Sequence, residues 1–320
     1  MQLHQLQYFV AVARTRHFTR AAQELRIAQP SLSQQIKALE RSLGTELIER
    51  TRGNIGLTPA GEALLPIAQR IVADVEMARQ EVHELVELRR GRVRLGAPPS
   101  LLTGLLPDVA REFRVRYPGI HLMIEESGSQ NLVAKAATGE LDLALVVLPL
   151  RRADPTLQTA PLLREELVVV SSTQEPAPTR DGRPIAVSEL EGRPLVMFRP
   201  GYDLREVTMD ACRAEGFEPT LVVEGGEMDA VLSMVAAGLG WAVLPSTVAE
   251  GRASHRVTQF AAPGLARTIG VAHRRDVPLP GAARELQTVL LEYLAEQDRS
   301  GRLPAGTRLM VGLSGSAVGV

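Results

Sequence analysis

The sequence predicts an α/β protein that carries a separate, mainly helical domain at its N-terminus. In residues 3–44, apolar side chains recur every three or four positions, which is the spacing of one face of an α-helix. From residue 92 onward, short apolar runs typical of strands alternate with helical segments, and this alternation predicts a parallel sheet with crossover helices. At 320 residues, with 45% hydrophobic and 23% charged residues, the chain is long enough for several domains with cores of their own.

Three helices fit into the first 44 residues. The first has its apolar face between Leu6 and Ala13, and the second is expected to begin after Thr19, a good N-cap. The letters RIAQ then form a turn, Pro30 suits the first position of the third helix, and Gly44 suits its end. This arrangement predicts a helix-turn-helix, a motif whose second helix enters the major groove of DNA.

The third helix has one apolar and one polar face. Gln34 and Lys37 lie opposite the apolar stripe, and Ser33 flanks them. Gln and Ser side chains both donate and accept hydrogen bonds to base edges, whereas Glu on this face would repel phosphates. The polar face therefore favours DNA recognition, and the alternative is a three-helix bundle whose polar face has no partner. The apolar stripe consists of Leu32, Ile36, Leu39 and Leu43.

A β-hairpin is predicted after the third helix. Its strands span residues 47–50 and 55–58, and the letters RGN between them form the tip. A hairpin beside a helix-turn-helix is a wing. We expect Arg50 and Arg52 on this wing to meet phosphates or the minor groove.

A long helix follows the wing, with Thr58 as its N-cap and Pro59 at its first position. Its apolar residues alternate spacings of four and three up to the letters RRGR, which is a heptad pattern. This seam favours a dimerising helix, because DNA-binding proteins with two-fold symmetry need one. The alternative is that the seam packs against the chain's own C-terminal domain. The seam consists of Leu64, Ala68, Ile71, Val75, Ala78, Val82 and Leu85.

The formal net charge of −1 hides an uneven distribution. Residues 1–60 hold eight arginines and lysines against four glutamates, a net charge of +4, which leaves −5 for the rest of the chain. A basic segment on an otherwise acidic chain points to a local anionic partner, although chance clustering explains the charge alone equally well.

Cys212 is the single cysteine, so the chain can have neither an internal disulfide framework nor a multi-cysteine zinc site. Its position in a predicted helix favours a buried structural thiol over a redox sensor. The N-terminus lacks the pattern of a signal peptide, and no apolar run reaches the roughly 18 residues that a membrane span requires. We therefore expect a cytoplasmic protein with no membrane partner.

Residues 6–65 resemble the N-terminal domain of the LysR-type transcriptional regulators. They follow its pattern, AA..L..AQP.LS.QI..LE..LG..L..R......LT.AG, nearly throughout. The resemblance implies a winged helix-turn-helix, a long linker helix that forms dimers, and a two-lobed effector-binding domain similar to periplasmic solute-binding proteins. It also implies that bases face Gln29, Pro30, Ser33 and Gln34, and that the DNA backbone meets Lys37, Arg50 and Arg52.

The alternating strands and helices after residue 92 fit two α/β lobes. In such sheets ligands lie beyond the carboxyl ends of the strands, and the loops PPSL, SGSQN and RPGYD have that position. Their amides and hydroxyls could hold the carboxylate of an organic anion, and Arg199 could pair with it. Helix capping and a plain surface arginine explain the same residues about as well. The candidate effector-binding residues are Pro99, Ser100, Ser129, Arg199 and Tyr202.

The sequence contains no GxSxG, no P-loop, no HExxH and no paired CxxC, and its six histidines show no metal-ligand spacing. We therefore expect no enzymatic activity, no cofactor and no metal.

These features predict four segments. The tail is rich in Gly and Ser and is expected to be mobile, although the letters RLMVGL within it could add a short strand. The boundaries are 1–58 for the winged domain, 59–90 for the linker helix, 91–297 for the effector-binding domain (lobe I 92–161 and 267–297, lobe II 162–266), and 298–320 for the tail.

The function that these segments favour is a dimeric or tetrameric transcriptional regulator that binds double-stranded DNA and responds to a small-molecule effector. A solute-binding protein is disfavoured by the helix-turn-helix and by the missing signal peptide. An architectural DNA-binding protein with a ligand-blind C-terminal module is the remaining alternative.

Overall fold

The computed structural model divides the chain into two units by its internal contacts, residues 1–88 with 135–141 and residues 89–134 with 142–320. The residues described are 1–51, 54–86, 91–179, 181–249 and 253–310.

Three helices form the core of the N-terminal unit, as predicted. Phe9, Leu32 and Ile36 are fully buried between them. The second helix begins earlier than expected, because His17 and not Thr19 is its N-cap: the His17 Nδ1 accepts a hydrogen bond from the backbone N–H of Arg20 at 3.4 Å. The bounds are α1 Leu3–Thr15, α2 Phe18–Leu25 and α3 Gln29–Leu43.

The third helix differs from the prediction at both ends. Pro30 occupies its second position, because α3 begins at Gln29. Leu43, placed in the apolar stripe by its spacing, is 40% exposed at the last turn. Gly44 ends the helix in the left-handed region (φ 72°), which is the conformation that favours glycine there.

The predicted wing is an antiparallel hairpin of β1 (Ile48–Thr51) and β2 (Asn54–Leu57). One carboxylate anchors its base to the third helix. The Oε1 of Glu40 in α3 accepts hydrogen bonds from the backbone N–H groups of Leu47 at 3.0 Å and Ile48 at 3.3 Å. The wing is thereby held against the helix that is expected to contact bases.

The long helix α4 (Pro59–Val86) is capped as predicted, since the Thr58 Oγ1 accepts the N–H of Gly61 at 3.0 Å. The first part of its heptad seam differs from the prediction. Leu64, Ala68 and Ile71 pack against the chain's own three-helix core, because this stretch completes the winged domain. The side chains of Val82 and Leu85 lie outside the described part of the structure.

The C-terminal unit is built on one mixed sheet and a small second sheet. The predicted parallel arrangement holds for β3, β4 and β5, whereas the long strands β6 and β11 run antiparallel to their neighbours. The sheet order is β10-β6-β11-β5-β3-β4, β9 and β12 also pair with β6, and β7 pairs with β8 separately. The bounds are β3 Gly91–Ala97, β4 Ile120–Glu126, β5 Leu143–Leu148, β6 Leu157–Ser172, β7 Pro194–Met197, β8 Thr220–Glu224, β9 Ala242–Pro245, β10 His255–Gln259, β11 Leu265–Arg274 and β12 Thr307–Leu309.

Helices pack on these strands around two separate apolar cores, which define lobe I and lobe II. The lobe I core includes Leu143 and Ile269, and the lobe II core includes Phe198 and Leu244. The first helical segment of lobe I is divided in two at Gly104. The bounds are α5 Pro99–Thr103, α6 Leu106–Arg116, α7 Ser129–Ala137, α8 Asp203–Ala214, α9 Met228–Ala236, α10 Ser246–Ala249 and α11 Gly281–Arg299.

Strand β6 connects the two lobes. Its first half contributes Leu162 and Leu163 to the lobe I core, and its second half contributes residues 167–170 to the lobe II core. The two cores therefore meet at residues 164–166, and β11 runs alongside them.

Part of the tail is ordered, and it overlaps the short strand that the letters RLMVGL allowed. Thr307–Leu309 form β12, which pairs antiparallel with Leu163–Glu165 of β6. Residues 311–320 lie outside the described residues. Within the described part of the chain, the helices are too short or too polar to span a membrane.

We expect Glu40→Ala to lower the free energy of unfolding by about 1–3 kcal/mol, because two backbone N–H groups beside buried side chains lose their acceptor. Urea denaturation of the full chain measures this change. Glu40→Gln keeps one acceptor oxygen and should lose less, and Glu46→Ala, at an exposed position, should change stability by no more than about 0.5 kcal/mol. Equal stability of Glu40→Ala and wild type would show that this carboxylate does not anchor the wing.

Candidate nucleic-acid interface and ligand cleft

The first half of α3 presents the residues that the sequence predicts for base contact. Gln29, Pro30 and Gln34 are exposed and Ser33 is half-buried, while Leu32 on the opposite face is fully buried in the core. The N-cap residue is Ala28, whose side chain cannot accept a hydrogen bond from the first N–H groups of the helix. These N–H groups and the positive end of the helix dipole favour an anionic oxygen at this position.

Of the three residues predicted to contact the DNA backbone, only one has a side chain in the described part of the structure. Lys37 is exposed one turn after Ser33 on the same helix. Arg50 belongs to β1, but its side chain lies outside the described part of the structure, and Arg52 lies outside the described residues altogether. The described surface therefore combines uncharged polar side chains with one lysine on a single helix.

In the C-terminal unit, Ser100 and Tyr202 contact each other between the lobes. The backbone N–H of Ser100, in the first turn of α5, donates to the Tyr202 hydroxyl at 3.4 Å. Both residues are fully buried, and the Tyr202 ring packs against Phe198 with 4.8 Å between ring centroids. Burial raises the pKa of Tyr202, so its hydroxyl stays protonated at neutral pH.

Ser129 is also engaged between the lobes. Its hydroxyl donates to Oδ2 of Asp203 at 2.7 Å and accepts the backbone N–H of Val147 at 3.0 Å. The backbone N–H of Ser129 donates to the same Asp203 oxygen at 3.2 Å. Adjacent residues of lobe II, Tyr202 and Asp203, thus hold the first turns of two lobe I helices.

The structure places the other two candidates away from these contacts. Pro99 is the buried first residue of α5. Arg199 forms an ion pair with Glu227, with 2.5 Å between Nε and Oε1, and both side chains are more than a third exposed. Of the five candidate residues, only Ser129 lines the cavity between the lobes.

A buried arginine that sequence analysis missed lies at the junction of the lobes. Arg267 of β11 faces Glu165 of β6, and both its Nε (2.6 Å) and its Nη2 (2.5 Å) contact the same carboxylate oxygen. The Nη2 also donates to the Ser100 hydroxyl at 2.6 Å, and the second Glu165 oxygen accepts from Thr247 at 2.8 Å. The Nη1 of Arg267 is buried and has no hydrogen-bond partner.

Arg267 forms part of the wall of a cavity of about 690 Å³ between the lobes. Two further arginines line it from the loop after β5. Arg151 is neutralised by Glu206 at 3.4 Å and Asp210 at 3.0 Å, both on α8, whereas Arg152 is exposed. The remaining wall includes Ser129, Gln130, Asn131, Val147, Pro149, Asp203 and Val207. Asp154 and Asp210 also line the cavity, so three arginines are balanced by three aspartates in a wall that contains both charged and apolar side chains.

A local signal could have found Arg267. It is a single charged residue inside the apolar run LARTIGVA, whereas Glu165 is the middle one of three charged residues in LLREELVVV. A charge within a predicted buried strand has to be paired, or it has a function. The sequence does not show that these two residues face each other, because their register depends on a long antiparallel pairing.

The thiol of Cys212 is fully buried in α8. Burial, with a smaller contribution from Glu218, raises its pKa to about 11. At neutral pH the thiol is therefore overwhelmingly protonated, which is the unreactive form. Among the described residues, no group of three or more His, Cys, Asp or Glu side chains is arranged to hold a metal ion.

A winged helix-turn-helix followed by a two-lobed α/β domain with a charged cleft defines a ligand-responsive transcription factor. The chain belongs to the lysR family: residues 3–62 match the bacterial regulatory helix-turn-helix protein of the lysR family, and residues 87–295 match the LysR substrate binding domain. The predicted family, fold class and function as a DNA-binding transcriptional regulator with an effector-binding domain are confirmed.

The chain is similar over nearly its whole length to named regulators. It is 30% identical to the transcriptional dual regulator GltC of Bacillus subtilis, covering 93% of this chain and 99% of that protein. It is 33% identical to a probable hydrogen peroxide-inducible genes activator of Streptomyces viridosporus, covering 92% and 95%. A solved variant of full-length OxyR from Pseudomonas aeruginosa is 29% identical, with a TM-score of 0.69 over 91% of this chain and 94% of that one.

Proposed function

We propose that this regulator contacts base edges with the first half of α3 and is controlled by an organic anion that binds beside Arg267, in the cleft between the lobes. The buried, unpartnered Nη1 of Arg267 in the cavity wall carries this proposal. The proposal includes no catalytic step, and it places the protein in the cytoplasm with the DNA that it binds.

The DNA-binding part is supported by the exposure of the polar face of α3. Gln34 can both donate and accept at a base edge, whereas Lys37 can offer only charge and donors to a phosphate. Because α3 packs its leucine face into the core, its polar face can enter a groove without disturbing the fold. The wing arginines Arg50 and Arg52 remain proposed backbone contacts.

Replacing Gln34 with Ala should weaken binding to the specific operator by about 1–3 kcal/mol and leave binding to random DNA nearly unchanged. Fluorescence anisotropy with both DNA fragments, at several salt concentrations, measures the two affinities. Lys37→Ala should weaken both and lower the salt slope by about one unit. Gln174→Ala, at an exposed position of the C-terminal unit, should change neither. Equal losses on both DNAs for Gln34→Ala would refute base contact by this residue.

The choice of an anion follows from one unpartnered guanidinium nitrogen in the cleft wall, since the formal charges of the lining residues cancel. Arg267 already forms an ion pair with Glu165, yet one of its two terminal nitrogens is buried without a hydrogen-bond acceptor. An unsatisfied buried donor is costly, and a ligand oxygen that accepts from it is correspondingly favoured. We therefore assign the pairing with the ligand carboxylate to Arg267. The sequence suggested Arg199 for this pairing, but Arg199 forms an ion pair with Glu227.

A second anionic group on the ligand would meet Arg152. This arginine is exposed on the loop after β5 that lines the cleft, whereas its neighbour Arg151 is neutralised by two carboxylates of α8. The arrangement therefore favours a dicarboxylate over a monocarboxylate. Ligand binding controls transcription only through different affinities for two arrangements of the lobes or subunits.

We expect at least one short-chain dicarboxylate in a panel of C3–C8 acids to raise the melting temperature of the full chain more than its monocarboxylate counterpart does. Arg152→Ala should lower the affinity for the dicarboxylate about tenfold, which corresponds to about 1.4 kcal/mol, and leave the affinity for monocarboxylates unchanged. Calorimetry measures the affinities, and Arg111→Ala, which removes an exposed arginine of α6, is the matched control. The absence of binding by every acid in the panel would refute the anion site.

Peroxide sensing by an internal disulfide does not fit this chain. The Streptomyces relative is named for induction by hydrogen peroxide, but Cys212 is the single cysteine here and its thiol is buried and protonated. A disulfide within one chain requires two cysteines, and oxidation requires a thiolate. We therefore infer that control by a bound anion takes the place of thiol oxidation.

Self-association is proposed to involve the face of α4 that the winged domain leaves open. Leu64, Ala68 and Ile71 pack against the core of the winged domain. Ile67, on the same helix, is 53% exposed. A large exposed aliphatic side chain on a long helix is suited to a contact with a second copy, as dimeric DNA-binding proteins require.

Ile67→Glu should shift the full chain from dimer or tetramer toward smaller species, because the carboxylate would be buried without a partner in the contact. Sedimentation velocity at several concentrations measures the distribution. Ile67→Leu keeps an apolar side chain of equal size and should sediment like the wild type. An unchanged distribution for Ile67→Glu would place the main contact elsewhere.

A further inference from the structure

One loop of lobe I is joined to lobe II at the cavity between the lobes. Residues 149–153 follow β5, and all five line this cavity together with Val207 and Asp210 of α8. The side chain of Arg151 in this loop forms ion pairs with Glu206 at 3.4 Å and Asp210 at 3.0 Å. The two ion pairs therefore connect one wall of the cavity to the other.

The backbone of this loop is anchored only at its ends. Strand β5 ends before it at Leu148, and a turn at Asp154 follows it. Within the described part of the chain, residues 149–153 form no backbone hydrogen bond. The ion pairs of Arg151 are therefore the polar contacts that hold the middle of the loop against lobe II.

These ion pairs are exposed, unlike the hydrogen bonds that join the lobes nearby. The side chains of Arg151, Glu206 and Asp210 are 42%, 30% and 58% exposed. Ser129 and Asp203, by contrast, are buried. Exposed ion pairs stabilise weakly and are screened by salt, whereas buried contacts are screened much less. The loop can therefore leave α8 at a smaller cost than the lobes can separate.

The charges around the loop have other partners when it moves away from α8. Arg151 contacts the Oδ2 of Asp210, and the other oxygen of this carboxylate, Oδ1, faces Arg213 of the same helix at 3.6 Å. A released Arg151 would lie next to Arg152 in the cavity wall, where an entering anion can accept hydrogen bonds from both. Opening of the loop therefore leaves Asp210 paired and makes Arg151 available to a ligand.

We propose that residues 149–153 form a strap over the cleft, which Arg151 fastens to α8 and which opens to admit ligands. This role rests on the proposed ligand site in the cleft, but access to the cleft can be measured without knowing the ligand. The cleft should become more accessible whenever the ion pairs of Arg151 are removed or screened.

The alkylation rate of a cysteine in the cavity wall measures this access in the full-length chain. Val207 lies on α8 between the two carboxylates that bind Arg151, so Val207→Cys places a thiol in the wall below the strap. Iodoacetamide is small and uncharged, so its entry does not depend on an anion site. Cys212 is buried and protonated and should not compete. The introduced thiol should react more slowly than that of Ala214→Cys, at an exposed position of α8.

Adding Arg151→Gln to Val207→Cys should speed the alkylation about threefold, because the strap is no longer fastened. Loss of a nearby positive charge would by itself slow the reaction, since it disfavours the thiolate, so a faster reaction reports better access. Salt at about 1 M should speed the reaction of Val207→Cys similarly and affect the Arg151→Gln double variant little.

Two further variants separate the ion pairs from a general effect of charge. Arg151→Lys keeps the positive charge and should react more slowly than Arg151→Gln. Arg111→Gln removes an exposed arginine of α6, and this matched control should leave the rate unchanged. Should Val207→Cys misfold, Ala266→Cys places the thiol on β11 in the wall of the same cavity.

The strap is refuted if Arg151→Gln leaves the alkylation rate unchanged or lowers it. It is also refuted if the thiol in the cavity wall reacts as fast as that of Ala214→Cys. Because the reagent is uncharged, a failure of every organic acid to bind would refute the anion site without affecting this result.

Discussion

The chemistry of the cleft between the lobes depends on the buried ion pair between Glu165 and Arg267. The two side chains are 0% and 1% exposed and lie opposite each other on adjacent strands, where the two apolar cores meet. Removing two charges from water costs several kcal/mol for each ion, and their mutual attraction repays this only when the remaining donors and acceptors are satisfied. Ser100 and Thr247 satisfy most of them, but the Nη1 of Arg267 is left over. This unpartnered nitrogen is the group to which a ligand oxygen is proposed to bind.

The contacts around this pair explain how a ligand could affect the lobes. Tyr202 and Asp203 hold the first turns of α5 and α7, and Arg151 reaches α8 from the other side of the cleft. The interlobe contacts are therefore polar and directional, and they surround the cavity in which an anion would bind. A ligand that bonds Arg267 and Arg152 would favour one spacing of these contacts over another. Such a difference in affinity is the only means by which binding can shift an equilibrium.

The N-terminal unit shows what sequence alone can predict. The helix-turn-helix, the wing and the cap of α4 at Thr58 follow from local periodicity and from turn and capping residues, and the structure contains each of them. The helix start at Phe18 and the exposure of Leu43 differ because helix ends depend on neighbouring contacts more than on spacing. Spacing could not predict either that the first part of the α4 seam packs within the winged domain, because a heptad pattern does not specify the partner that its apolar face contacts.

The sequence placed the candidate ligand residues near the meeting of the two lobes, but of the five only Ser129 lines the cavity. Ser100, Ser129 and Tyr202 do lie where the lobes meet, because the carboxyl ends of the strands converge there. The sequence suggested Arg199 as the arginine that pairs with a ligand carboxylate, because its loop follows a predicted strand. Arg267 lies at the junction of the lobes because the long strands β6 and β11 pair antiparallel. Non-local register of this kind has no local signal. The same reason applies to β12: the letters RLMVGL allowed a short strand, but its pairing with β6, far earlier in the chain, had no local signal.

The double variant Glu165→Gln with Arg267→Met tests most directly whether the buried charge serves ligand binding. Both charges are removed together, so neither is left unpaired, and the amide oxygen of the introduced glutamine can still accept from Thr247. The account predicts a free energy of unfolding within about 1 kcal/mol of the wild type or higher, as for other buried pairs replaced by neutral residues. It also predicts that dicarboxylates no longer raise the melting temperature. A double variant that retains the full dicarboxylate response would contradict the account.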